Sequence, residues 1–517
     1  MSSDTTGTAT TFVLVSGTFT GAHVWEDTAA RLTAAGADVR TPALTGLDGN
    51  PADGTAPDLE THIADVLAAV DSVDGAAGRR IVLVGHDYGI HPVLGAADRR
   101  AERIDRIVHL DSGMPQPGVP ALAAVPDQGI RAELAAHTHP AGVLAPPTRD
   151  GWQRWGSTAG VPDAALDRLT ALARPQPLGT LLQPLHLTGA VASVPTTGVL
   201  CTGNGASIEM VEMVVGFGEP ALQALLDPQV TFFELATGHW PMLSCPADLA
   251  EVLLGAAAGE GHRLKGPAAE GAAEPAELPG HLRPFLLDVP ELPHERTGNL
   301  DLYVPERADG PRPAVVIVHG GPVPAGAQPT PRDWPTLVGY ARYAASLGVV
   351  AATFDHRLHD VTAYPPAAED VADAVARVRR DPRVDPDRVA LWFLSGGGLL
   401  TAEWLAAPPA WLRCLAASYP ILAPMPNWGL PEGRFRPADA VRKAGDLPVV
   451  LTRAGREMPE IAATVAEFLA AAEDCAAAVE VIDVPSGHHA FETLDPTDES
   501  REAVRRAMRT VLGHLTA

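Results

Sequence analysis

The chain has 517 residues, about three times the length of an ordinary domain, so two or more separate cores are expected. Hydrophobic residues make up 46% and charged residues 20%, a globular balance that excludes wholesale disorder. The 63 acidic side chains outnumber the 38 basic ones and leave a formal charge of −25, which repels phosphate backbones and anionic headgroups and argues against nucleic acid and membrane surfaces as partners.

The start, Met1 to Thr11, is polar, with no basic stretch leading into an apolar one, and no apolar run reaches the ~18 residues of a membrane span. A soluble cytoplasmic protein is expected. The first half then alternates apolar, β-branched runs at 12–15, 81–84, 107–110, 197–200 and 230–235 with helical patterns near 24–35 and 59–73. Such alternation predicts a parallel sheet covered by helices. The segment 115–194 falls between two of these strands and carries a helical pattern at 163–172 together with His137, His139, Trp152, Trp155 and His186. A helical cap over a cleft is expected there.

From 256 to 280 the chain is Ala, Gly, Pro and Glu with almost no bulky apolar residue, the composition of a linker. The strand pattern resumes at 300–304, 314–318, 349–354, 389–393, 415–419, 448–452 and 479–484, with an irregular insertion at 423–446 that can cover the second half as 115–194 covers the first. Two α/β domains in tandem are expected, residues 1–255 and 281–517, each a mostly parallel sheet covered by helices. Cys201, Cys245, Cys414 and Cys475 are too few and too scattered for a disulfide framework or a CxxC metal site, so buried reduced thiols are the default.

In the first half the run from Ile81 to Val84 leads into Gly85-His86-Asp87-Tyr88-Gly89 and then a helical pattern. A side chain on such a strand-to-helix turn is pushed out at the C-terminal edge of the sheet, and its usual occupant is serine. Aspartate is already charged at neutral pH and needs no base to become a nucleophile. It can displace at an sp³ carbon, forming an alkyl ester that a histidine-activated water hydrolyses. An aspartate at a strand end also serves to cap the following helix. The Thr18 N–H at the end of the first strand, with that of Tyr88, can hold an oxyanion. His239 follows the last strand in Gly238-His239-Trp240-Pro241-Met242-Leu243, in the chain order of nucleophile and then base.

With these residues in view, 10–256 resembles the α/β-hydrolase superfamily. Gly17-Thr18-Phe19-Thr20-Gly21-Ala22, Leu110-Asp111-Ser112-Gly113-Met114-Pro115 and Gly238-His239 look most like the small esterase and hydroxynitrile-lyase branch, whereas the Asp87 elbow resembles epoxide hydrolases and haloalkane dehalogenases. The resemblance implies Asp87 as nucleophile and His239 as the base that activates water. The third member stays open: Asn204, in Cys201-Thr202-Gly203-Asn204, occupies the usual place of the esterase acid, and Asp111 stands where some dehalogenases carry theirs. An opening epoxide needs a proton donor and a departing halide needs N–H groups. Tyr88 is the only tyrosine of this half, and Trp152 and Trp155 offer indole N–H groups or simply cap packing. Tyr88 or His186 as donor favours epoxide opening.

In the second half Val315 to Val318 leads into His319-Gly320-Gly321-Pro322, whose N–H groups can face an oxyanion, and Leu391-Trp392-Phe393-Leu394 leads into Ser395-Gly396-Gly397-Gly398. Residues 281–517 resemble dienelactone-hydrolase and hormone-sensitive-lipase-like esterases, including Asp355-His356-Arg357-Leu358. The resemblance implies Ser395 as nucleophile, Glu457 as acid and His489 as base, with His488 the adjacent alternative and Gly320, Gly321 and Gly396 around the oxyanion. Phe393 fills the first glycine position of G-x-S-x-G, so this elbow must relax to admit it. The leading expectation is a hydrolase that opens an epoxide on a small neutral organic molecule through Asp87 and His239. The alternatives are a serine esterase or lactonase at Ser395, a haloalkane dehalogenase, and a non-catalytic hydrolase-fold module. No metal set or phosphate loop is present and no cofactor is implied. The expected partner is a small-molecule substrate, with a homodimer left open.

Overall fold

The computed structural model describes residues 10–47, 56–74, 79–136, 142–216, 220–264, 278–306, 310–425, 428, 430 and 433–516. The chain divides into two compact units, Met1–Val215 with Pro220–Gly266, and Gly216–Glu219 with Pro267–Ala517.

The first unit contains β1 (Thr10–Val15), β2 (Asp38–Arg40), β3 (Arg80–His86), β4 (Arg106–Leu110), β5 (Val143–Leu144), β6 (Gln176–Pro177), β7 (Thr196–Cys201) and β8 (Val230–Leu235). Six of these form an all-parallel sheet in the order β2-β1-β3-β4-β7-β8. Phe12 to Val15 and Ile81 to Val84 are apolar without alternation because helices cover both faces, and all eight are buried. Helix Leu59–Asp71 shows how the local sequence builds that cover. Asp58 accepts the Thr61 N–H at its N-terminus, and Leu59, Ile63, Val66 and Val70 recur on one face and are buried. The edge strand β2, Asp38-Val39-Arg40, escaped the sequence reading because three residues with one apolar side chain make no period.

Between β4 and β7 lie the helices Gln128–Ala135, Asp163–Leu172 and Leu178–Leu182 and the antiparallel pair β5–β6, so the expected cap is present. It is tied to the first strand-end loop by Phe19 N–H to Gln176 Oε1 at 3.0 Å and Arg174 N–H to Phe19 O at 2.9 Å. His137 and His139 lie outside the described residues.

The second unit contains β9 (His294–Thr297), β10 (Leu300–Tyr303), β11 (Arg312–Val318), β12 (Val350–Phe354), β13 (Val384–Leu394), β14 (Leu412–Ser418), β15 (Val449–Arg456) and β16 (Val479–His488). They form one sheet in the order β9-β10-β12-β11-β13-β14-β15-β16, antiparallel only where β10 meets β9 and β12. Helices Pro335–Ser346, Tyr364–Arg380, Pro459–Asp474 and Asp498–Thr516 accompany it. Within 423–446, Trp428 and Phe435 pack around Tyr364, whose hydroxyl donates to Gly396 O at 2.9 Å, so this insertion does reach the second elbow.

Two expectations are corrected here. The linker does not begin at 256. Helix Pro246–Ala258 runs past that point, Phe232 and His262 exchange backbone hydrogen bonds, and Leu264 is buried with Phe232, because the first unit closes its sheet edge with this segment. The four cysteines are unpaired but not uniformly buried: Cys201 and Cys414 are, Cys245 is half-buried and Cys475 is exposed. Among the described residues no helix is long and apolar enough to cross a membrane, and no group of three or more His, Cys, Asp or Glu is placed to hold a metal.

Candidate active sites

The two elbows share one backbone device. Asp87 follows β3 and Ser395 follows β13, and each sits at φ +50°, a left-handed conformation that side chains seldom adopt and that lifts the residue off the sheet edge. They differ two positions earlier. A Cβ at Gly85 would lie 2.5 Å from Ile90 Cα, so no side chain fits there, yet the equivalent Phe393 is fully buried. Three residues after the elbow residue stand Ile90 in the first unit and Gly398 in the second, where a Cβ would lie 2.5 Å from Ile421 O. The chain makes three residues of 3-10 helix after Asp87 and six after Ser395 before the α-helix begins.

In the first unit Asp87 Oδ2 accepts both the Thr18 N–H at 2.9 Å and the Thr18 hydroxyl at 2.6 Å, while Oδ1 stands 4.0 Å from His239 Nε2. His239 Nδ1–H donates to Asp111 Oδ2 at 2.6 Å. Asp111, itself at φ +43°, also accepts Cys201 N–H at 3.1 Å and Asn204 Nδ2–H at 2.6 Å. The acid partner of His239 is therefore Asp111, and Asn204 holds Asp111. Asn204 Oδ1 in turn accepts the Ser157 N–H of the cap at 2.7 Å, His239 N–H donates to Ser157 O at 2.7 Å, and Gly238 N–H donates to Ala159 O at 2.9 Å. The cap thus clamps the histidine loop and the acid together. From the sequence Asn204 stands only in the usual place of the acid, since spacing does not show a side chain that bridges two loops.

Burial raises the pKa of Asp87, but the His239 and His86 rings and the two Thr18 hydrogen bonds outweigh it, so the net shift is downward and the carboxylate is favoured. Burial pushes His239 down, but the Asp111 hydrogen bond and the charges of Asp111 and Asp87 carry its pKa above the ordinary value. His86, whose Nε2–H donates to His239 O at 2.8 Å, is held near 4 by burial and by the His239 charge.

Three expected substrate contacts are not placed as the sequence reading had them. The Tyr88 hydroxyl does not face the cleft: His62 donates Nε2–H to Thr45 O, so its Nδ1 accepts the Tyr88 O–H at 2.9 Å inside the core. Trp152 donates its indole N–H to Thr170 Oγ1 at 3.0 Å and packs against Phe19 and Trp240, which is the cap-packing alternative. His186 is exposed. Trp155 is buried edge-on against Phe19 at 4.7 Å, one residue before Gly156, which lies flat on His239.

In the second unit Ser395 Oγ and His489 Nε2 are 2.7 Å apart, and His489 Nδ1–H donates to Glu457 at 2.8 and 3.0 Å. The His489 and Glu457 side chains are 8% and 5% exposed. His488 instead pairs with Asp495 at 3.0 Å, away from Ser395. Gly320 abuts Ser395 so closely that a Cβ would lie 2.8 Å from Ser395 Cβ, and Gly321 O presses on Gly396. The His319 and His356 rings stack beneath this loop at 3.6 Å and 4°. His356 Nε2–H donates to His319 O at 3.1 Å, and His319 Nδ1–H donates to Gly320 O at 2.5 Å. Burial holds both rings neutral. Two further residues went unnoticed in the sequence: Tyr419, edge-on to His489 at 5.0 Å, and Glu492, buried and accepting the Tyr340 hydroxyl at 2.7 Å.

Residues 12–252 match the alpha/beta hydrolase family and residues 300–406 match the BD-FAE family. The first match spans Asp87, Asp111 and His239, and the second spans Ser395. A carbendazim hydrolyzing esterase from Nocardioides sp. (strain SG-4G) is 31% identical over 254 residues, which cover 47% of this chain and 97% of that protein. Among solved structures, tomato methylketone synthase I complexed with 2-tridecanone is 21% identical over 48% of this chain and 98% of its own, with a TM-score of 0.38. An extracellular alpha/beta-hydrolase from a Paenibacillus species is 21% identical over 47% and 97%, also at 0.38. The chain belongs to the alpha/beta hydrolase family, with a second, esterase-like sheet domain in its C-terminal half.

Proposed function

We propose that the chain is a carboxylic ester hydrolase whose principal centre is Ser395, His489 and Glu457. The observation that carries this reading is the unbroken contact from Ser395 Oγ through His489 to Glu457. A hydroxyl must lose its proton to attack, and here the base is already in hydrogen-bond reach and oriented by a buried acid. Gly320 packs against Ser395 and Gly321 against Gly396, and the N–H groups of these three glycines would serve the resulting oxyanion. The likeness to a carbendazim hydrolyzing esterase supports ester hydrolysis by the chain without assigning it to either centre. A fluorophosphonate probe is expected to label Ser395. Wild-type protein that hydrolyses p-nitrophenyl butyrate with Ser395 unlabelled sinks the reading.

For the Asp87 centre a specific observation favours a second chemistry. The Thr18 N–H, which in an ester hydrolase serves the substrate's carbonyl oxygen, here holds Asp87 Oδ2. An oxyanion site filled by the enzyme's own carboxylate suits a tetrahedral intermediate formed on Asp87 Cγ, that is, hydrolysis of an alkyl ester of Asp87. The reading is displacement at an sp³ carbon, as in epoxide opening on a small neutral substrate, with Asp87 Oδ1 as nucleophile and water activated by His239. Single turnover of styrene oxide in ¹⁸O-water tests it. The first product molecule carries unlabelled oxygen from Asp87, and direct entry of label on that turnover overturns the reading.

A further inference from the structure

The inference rests on the alkyl-transfer reading of the Asp87 centre and concerns the proton that reading requires. As an epoxide opens, a ring C–O bond breaks and the oxygen must gain a proton. The Tyr88 hydroxyl is committed to His62, the Trp152 N–H to Thr170, and His186 is exposed. An indole N–H such as that of Trp155 steadies an anion but does not give up its proton. What faces Asp87 Oδ1 is His239 Nε2, 4.0 Å away. The ring lies between two carboxylates, Asp111 on Nδ1 at 2.6 Å and Asp87 beyond Nε2, so a proton on each nitrogen points toward an anion. The remaining neighbours carry no positive charge. His86, at 4.6 Å between ring centres, is kept neutral by burial; Trp240 packs edge-on at 4.9 Å; Asn204 Nδ2 is 3.2 Å from Nδ1; and Gly156 lies against Cβ. The upward shift of the His239 pKa agrees with this geometry.

We propose that His239 rests as an imidazolium and acts first as the acid and then as the base. Asp87 Oδ1 bonds to an epoxide carbon, the ring C–O bond breaks, and its oxygen takes the proton from His239 Nε2. Neutral His239 then takes a proton from water as hydroxide adds to Asp87 Cγ, with the negative charge on Oδ2 held by the Thr18 N–H and O–H. Collapse expels the second product oxygen, which takes the proton left on the Asp87 carboxyl. Diol, carboxylate and imidazolium are restored from epoxide, carboxylate, imidazolium and one water. The centre therefore favours strained cyclic ethers, whose leaving oxygen needs a proton, over alkyl halides, whose leaving ion does not.

Two measurements on the full chain test this. Histidine-labelled NMR, with the His239 signal assigned by its loss in His239→Gln, is expected to show an imidazolium at pH 7 that titrates above neutrality, and a lower midpoint in Asp87→Asn. A neutral His239 at pH 7 overturns the proposal. Alkylation of the Asp87 peptide by styrene oxide and by benzyl bromide is then followed by mass spectrometry. In the wild type the epoxide rate is expected to fall as pH rises through the His239 midpoint, whereas the bromide rate does not. In His239→Gln the bromide-to-epoxide rate ratio is expected to rise by ~10²-fold or more. An unchanged ratio with both probes on Asp87 overturns the proposal and leaves the alkyl-transfer reading standing. No adduct on Asp87 from either probe overturns that reading and the proposal with it.

Discussion

Aligned by strand order, the two units place different residues on the same scaffold points. β4 and β14 each lie beside the elbow strand, and the residues after them, Asp111 and Tyr419, share a left-handed backbone at φ +43° and +38°. One strand further out, β7 is followed by Asn204 and β15 by Glu457. The acid has moved by one strand: the second unit carries it outboard with an aromatic ring beside the histidine, and the first carries it inboard with an amide bracing it. The elbow residues differ in step with this. A serine needs its base in contact, and the ring sits at 2.7 Å; a carboxylate needs none, and the ring stands off at 4.0 Å. On the proposed reading, one changed side chain on the elbow moves the carbonyl that is attacked from the substrate to the enzyme.

The largest effect that can break this comparison is at the proposed nucleophiles. Ser395→Ala is expected to lower ester kcat/KM by ~10⁴-fold or more, and Asp87→Ala to leave it unchanged. Ester turnover that follows Asp87 instead would reverse the assignment of chemistries. The acid exchange comes next. Asp111→Asn is expected to cost the Asp87 centre ~10³-fold in kcat with little change in KM, because His239 loses the partner that fixes its orientation and charge. Adding Asn204→Asp, which rebuilds the outboard acid of the second unit, is expected to recover at least ~10-fold. A double variant no better than Asp111→Asn would show that the two strand ends are not interchangeable.

A third test sets packing against chemistry at the elbows. Phe393 is fully buried and paired between Val318 and Ala417, so Phe393→Ala is expected to cost about 3–5 kcal/mol in urea unfolding of the second unit. Removing the bulk from this elbow position thereby weakens the fold, which is the reverse of what motif matching implies. A loss below about 1 kcal/mol would mean that the ring is not a core element.

Both sheets, the cap, the two elbows and the Ser395–Glu457–His489 set were legible in the sequence, for a physical reason. Continuous apolar strands, glycines at close approaches and histidines just after terminal strands are local patterns. What escaped is non-local or runs against pattern. β2 has no apolar run. The acid of His239 depends on which of two strand ends folds nearer the ring. The side chain of Tyr88 turns into the core because His62, 26 residues away, offers an acceptor. The stacked pair His319 and His356 comes together only across β11 and β12.

The smallest effect concerns the residue one turn after each histidine, Met242 after His239 and Glu492 after His489, both 1% exposed. The first unit buries a thioether there and the second a carboxyl, faced by Tyr340, Tyr419 and His489. Burial raises the Glu492 pKa to about 7, against which the Tyr340 and Tyr419 hydrogen bonds and the His489 charge act only in part. Below the unfolded value of 4.5 the group is protonated in both states and is neutral for stability. Between there and about 7 the folded state holds a proton that the unfolded state has lost, so stability falls as pH rises. Glu492→Gln keeps the hydrogen-bonding shape without the charge. It is expected to match the wild type in urea unfolding at pH 4.5 and to exceed it by roughly 3 kcal/mol at pH 8. Equal stabilities at pH 8 would mean that the carboxylate finds water or a cation, and the buried carboxyl would no longer separate the second centre from the first. If the gain appears but ester turnover falls, the charge beside His489 serves the base, and the second unit retains it at the expense of its own stability.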